Sequence, residues 1–148
     1  MKMNKKGVTL IELIIVFVII AIGAVLMIPN LGPWIANYRL RSATRDITST
    51  LRVAQMKAVS TNLNYQVLFD VGAGSYILQR NTGGGYFPDG ATQPQIVPTG
   101  ISIATNFGTA LTFSPNSSSN GGTVTLQNTK GNQRTITVLP STGKITSQ

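Results

Sequence analysis

From Val8 to Ile28 the chain runs 21 residues with a single charge, Glu12, and this block limits what the protein can be more than any other feature. At 1.5 Å per residue a helix over it would reach roughly 31 Å, close to the hydrocarbon thickness of a bilayer. A membrane span over 8–28 is the leading expectation. Lys2, Lys5 and Lys6 precede the block, and positive charge ahead of an apolar helix predicts that this end stays on the cytoplasmic side, with the rest facing outward. A secretory signal peptide shares the basic start and apolar core, and Ala21-Ile22-Gly23 would pass for a small-residue cleavage site. Against it, the run continues through Val25, Leu26, Met27 and Ile28, and Glu12 interrupts its early part.

The next stretch, IPNLGPW, brings Pro29 and Pro33 with Gly32 between them. Each proline removes a backbone donor and crowds the preceding turn, which predicts a kink or a lost turn between Met27 and Trp34. The end of a membrane helix and a built-in point of flexibility both account for this break at 29–33. From Trp34 to about Asn62 no glycine or proline occurs. Leu40, Ala43, Ile47, Leu51, Ala54 and Ala58 recur at spacings of three and four, so one face of a helix over 34–62 is apolar. Arg41, Arg45 and Arg52 form a stripe on the other side.

Beyond residue 62 the pattern changes period. NYQVLFDVGAGSYILQ reads as two strands around a glycine-containing turn. NTGGGYFPDGATQP is a loop by composition. Further strands are expected at Ile101–Ala104, Ala110–Phe113, Thr123–Gln127 and Arg134–Leu139. In the last two, polar and apolar residues alternate, as in strands with one wet and one covered face. A sheet from residues 63–148 alone has a thin core. Laying the apolar face of helix 34–62 across it supplies the missing cover, giving an α+β domain with a long N-terminal helix packed on a small antiparallel sheet.

The composition argues against an enzyme. There is no cysteine or histidine, which removes thiol nucleophiles, imidazole bases and the commonest zinc ligands, so neither a metal nor a cofactor is called for. The four acids, Glu12, Asp46, Asp70 and Asp89, are scattered, whereas acid/base and two-metal chemistry bring carboxylates together. The net charge is +8, and +5 without the three leading lysines. Charge of that size favours anionic partners, subject to where it sits.

KKGVTLIEL, followed by the apolar span, resembles the processing site of type IV prepilins and type II secretion pseudopilins. The resemblance implies that a prepilin peptidase cuts a leader of residues 1–7 between Gly7 and Val8 and methylates the amine of Val8, where the family most often has phenylalanine. It also makes Glu12 the family's acid near the mature start, and Pro29 its helix proline, with Pro33 an additional break. The order of helix, YQVLFD hairpin, LTFSPNSSSNGGTVTLQN and closing RTITVLPSTGKI resembles the GspH/FimT group of minor pilins and pseudopilins. The implied partners are the peptidase, other pilins or pseudopilins in a filament, and an inner-membrane assembly platform. The implied location is the inner membrane, single-pass, with a periplasmic C-terminal domain that is extracted into a pilus or pseudopilus.

That setting answers why an acid stands at position 12. A charged side chain at the centre of a membrane helix costs about 2.5–3.5 kcal/mol on insertion scales, and less near the end. Glu12 is either tolerated near the headgroups or paired. Cleavage after Gly7 would create an amine four residues away, close enough for contact on one helix face or between neighbouring subunits. Two other functions remain in view. Some FimT-like subunits take up DNA through basic C-terminal residues, for which Lys130, Arg134 and Lys144 are the candidates here, although solvated strand and turn bases explain these three more simply. An anchored domain that never assembles is the other.

Overall fold

The computed structural model describes residues 8–27 and 31–148, and the chain divides into two compact units, Met1–Ile35 and Ala36–Gln148. In the first unit α1 covers Leu10–Met27. Its start is set by Thr9, whose hydroxyl accepts the Glu12 amide at 3.4 Å while its carbonyl accepts the Leu13 amide at 3.2 Å. Thr9 is thus an N-cap, and Thr9-Leu10-Ile11-Glu12 has the spacing of a capping box. Among the described residues no helix is long and apolar enough to cross a membrane. The expected 8–28 segment begins its helix two residues late, and Ile28 lies outside the described residues.

Helix α2 spans Leu31–Thr61, starting three residues before the expected boundary. Gly32 and Pro33, expected in a break, lie in its first turn. Proline is accommodated there because the first amides of a helix have no intrahelical acceptor to lose. Pro29 lies outside the described residues.

In the second unit α2 buries the face its spacing predicts: Ile47, Leu51, Ala54 and Ala58 are fully buried, and Leu40 and Ala43 nearly so. Two threonines share this face. Their hydroxyls donate one turn back, Thr44 to the Leu40 carbonyl and Thr48 to the Thr44 carbonyl, both at 2.7 Å, so neither is a polar orphan.

The strands are β1 (Tyr65–Asp70), β2 (Ser75–Asn81), β3 (Tyr86–Pro88), β4 (Gln95–Ile96), β5 (Ile101–Thr105), β6 (Ala110–Phe113), β7 (Gly122–Asn128), β8 (Gln133–Val138) and β9 (Ile145–Ser147). The predicted hairpin is β1–β2, with Tyr65 opposite Arg80 and Asp70 opposite Ser75. Two sheets form where one was expected. One has the order β3-β2-β1-β6 with β4 also on β2, and the other runs β5-β7-β8-β9. All pairings are antiparallel. Alternation along a strand reports which face is covered but not which strand lies beside it, so the division was not in the local pattern. The stretch read as loop contains β3, and β4 follows directly after it; strands of two or three mostly exposed residues carry little period-2 signal.

One core joins α2 to both sheets. Val67, Phe69, Leu111 and Phe113 from the first sheet and Val124, Leu126, Ile136 and Val138 from the second meet the helix face. Polar ties hold the helix at both ends of this face. Asn37 Oδ1 accepts from Asn128 Nδ2 at 3.1 Å and Asn132 Nδ2 at 2.7 Å. Gln55 Nε2 donates to the Ser117 hydroxyl at 2.9 Å and lies 3.4 Å from the carbonyl of Thr142. Gly143 makes the second tie possible: its φ is 59°, and an added methyl would run into the Ser117 carbonyl and sit 2.7 Å from Gln55 Nε2.

Candidate functional site

Two features carry chemistry that the fold itself does not consume. The first is α1. From Leu10 to Ile22 its large apolar side chains are exposed all round, from Ile14 at 48% to Leu10 at 78%. A helix apolar on every side belongs inside a bundle or a bilayer. Glu12 lies in its first turn, where an acid favours the N-terminal end of the helix dipole by about 0.3–1 kcal/mol. This offsets part of the cost of a carboxylate among apolar side chains. Val8 precedes the cap and is 71% exposed, while Gly7 lies outside the described residues. The Thr-x-x-Glu spacing was available in the sequence, and the Thr9 half of it is made, with the Thr9 hydroxyl accepting the Glu12 amide.

The second feature is a basic groove of about 410 Å³ in the globular unit. Arg41, Arg45 and Arg52 line it from α2, with Thr44 and Thr48 between them, and Arg134 comes from β8. Alternation explains Arg134: it shares a face with Ile136 and Val138, whose side chains are buried, and continues their row to the edge of the core. Ser49 and Ser147 complete the lining. The arginine stripe is exposed, as its spacing predicts.

The three C-terminal bases proposed as one nucleic-acid contact are not together. Lys130 sits in the β7–β8 turn, its amide donating to Asn128 Oδ1 at 3.0 Å. Lys144 lines a separate recess with Thr135 and Thr137, on the other face of β8 from Arg134. Arg134 instead joins the helix arginines, a grouping that sequence reading missed because the two segments are about 90 residues apart. Among the described residues the ion pairs are Lys57 with Asp89 and Arg80 with Asp89, and no cluster suited to a metal occurs.

The sequence matches two family models. That of the type II transport protein GspH covers residues 43–142, and that of the prokaryotic N-terminal methylation motif covers residues 2–28. The chain belongs to the GspH family. Its fold is similar to that of solved proteins. The minor pseudopilin EpsH from the type 2 secretion system of Vibrio cholerae aligns with a TM-score of 0.65 at 13% identity, over 74% of this chain and 96% of that one. The type IV minor pilin FimU of Pseudomonas aeruginosa aligns with a TM-score of 0.60 at 17% identity, over 74% of this chain and 92% of that one. No curated protein matches by sequence. At these identities the neighbours establish a common fold, and the family models join the GspH match to the methylation motif in one chain.

Proposed function

We propose that this GspH-family chain is a minor filament subunit: stored in the inner membrane with its C-terminal domain in the periplasm, cut by prepilin peptidase between Gly7 and Val8, methylated on Val8, and assembled through α1 into a type II secretion pseudopilus or type IV pilus. Its role is structural. The observation that carries this reading is the conjunction in one chain of the methylation motif over 2–28 and the GspH match over 43–142. The exposed apolar sides of α1 add support, because they suit first a bilayer and then the interior of a bundle of like helices.

Glu12 then has two tasks. In the stored subunit it sits in the first turn of the helix, at the positive end of the dipole, near the membrane surface. In the filament it pairs with the Val8 amine of its own or a neighbouring subunit, and the penalty on an unpaired buried charge selects the axial register. The test begins with the mass of the membrane-extracted protein. Loss of residues 1–7 with one added methyl group is expected, and an intact N-terminus or a cut near Gly23 overturns the reading. Replacing Gly7 with a bulky residue should leave the full-length chain in the membrane, whereas a signal peptidase cut near Gly23 would be indifferent to it.

A further inference from the structure

We infer that the groove between α2 and β8–β9 docks a carboxylate-rich segment of a different, acidic subunit. This partner assignment rests on the filament-subunit reading, while the groove's chemistry stands on its own residues.

Arg41 and Arg45 are one turn apart and Arg52 follows two turns later, so three guanidiniums line about 16 Å of one helix face. Arg134 faces them from β8. Thr44 and Thr48 spend their hydroxyl protons on helix carbonyls, which leaves the guanidinium forks as the principal donors. Planar forks of this kind bind carboxylates and phosphates in bidentate fashion. No acid lines the groove, and the described ion pairs involve none of its four arginines.

The partner's class follows from what surrounds the arginines. None of the lining residues is aromatic, so the groove has no platform on which the bases of a single strand could stack. Its volume suits a few side chains on a peptide segment. A second copy of this chain is a poor source of them. With a net charge of +5 once the leader is removed two copies repel, and the globular unit holds only three acids, each already engaged. Asp89 pairs with Lys57, Asp70 accepts the Ala73 amide at 2.9 Å, and Asp46 accepts from the Ser42 hydroxyl at 3.4 Å. An acidic neighbour satisfies the arginines where a like copy cannot, which favours mixed contacts over runs of this subunit.

The test uses the full chain in detergent with a fluorescent ten-residue Asp/Glu peptide, its Asn/Gln counterpart, and a duplex DNA oligonucleotide, at two salt concentrations. The acidic peptide should bind, the amide peptide should not, and affinity should fall with salt. Arg41→Gln, Arg45→Gln and Arg134→Gln combined should lower peptide affinity at least tenfold, while Lys130→Gln with Lys144→Gln leaves it within twofold. The Arg45→Gln single variant gives an intermediate loss, and unchanged melting temperatures show that these substitutions leave the fold intact. Equal losses in the lysine variant, or no peptide binding at all, overturn the inference. Tighter binding of DNA than of peptide with the same arginine dependence overturns it in favour of a nucleic-acid groove. The mass of the processed chain reports on the filament-subunit reading independently, so a correctly cut and methylated protein that ignores the peptide refutes the inference alone.

Discussion

Helices α1 and α2 are opposite solutions to one problem, the cover of an apolar surface. In α2 the apolar positions form one stripe, and two sheets from the same chain bury it. In α1 the apolar positions occupy every side, and those from Leu10 to Ile22 are exposed. A one-sided helix can be completed by its own domain. An all-round one requires apolar neighbours on every side, which the proposed function supplies as lipid or other subunits. The contrast divides the protein into a part that covers its own apolar surface and a part that leaves its apolar surface uncovered.

The most forceful way to break that division is Glu12→Leu. Removing the acid makes α1 wholly apolar, so membrane insertion and cleavage after Gly7 should continue. Incorporation into sheared filaments should fail, because the Val8 amine loses its partner and an unpaired buried charge costs several kcal/mol. Normal incorporation would reduce Glu12 to a first-turn acid that favours the helix dipole and remove the assembly role assigned to it.

A paired truncation measures the two kinds of apolar surface directly. Leu51→Ala opens a cavity beneath α2 and should destabilise the domain by about 2–5 kcal/mol. Ile15→Ala, on the exposed surface of α1, should change the domain's melting in detergent by no more than about 0.5 kcal/mol. Equal losses would mean that α1 contributes to the domain's core.

The tie between α2 and the sheets can be sharpened at Gly143. Its φ of 59° disfavours a side chain, and a methyl would meet the Ser117 carbonyl, so Gly143→Ala should cost about 1–3 kcal/mol. Denaturant unfolding checks this. A neutral result would mean that the loop shifts freely and that Gln55 does not anchor it.

The smallest effect concerns pH. Burial pushes the Tyr76 hydroxyl above its ordinary value of 10.0, a hydrogen bond with Thr50 opposes the shift, and the Asp46 charge adds to it. The folded state therefore holds the proton more tightly than the unfolded one. Its contribution is fully present below pH 10 and lost as pH rises through the folded value. Tyr76→Phe should remove that share of the alkaline loss, seen as a smaller fall in melting temperature from about pH 9 to about pH 11 than in the parent. An identical fall would place the sensitivity elsewhere.

Periodicity alone specified the buried face of α2, the β1–β2 hairpin and the placement of the Arg41, Arg45 and Arg52 stripe, because these depend on residues within a few positions of one another. The basic leader, Gly7, Val8, Glu12 and the apolar run were likewise legible as a contiguous motif. Other features were not local. The split into two sheets depends on which strands pair, β9 adds an edge too short to show a period, and Gly143 is constrained by the backbone of a distant loop. The basic site changed most. Sequence proximity grouped Lys130, Arg134 and Lys144, but alternating side-chain directions along β8 send Arg134 to the helix side, while Lys144 lines the recess on the sheet's other face. Local chemistry determined which residues are charged or apolar, and only the packing of β8 against α2 decided which charges share a surface.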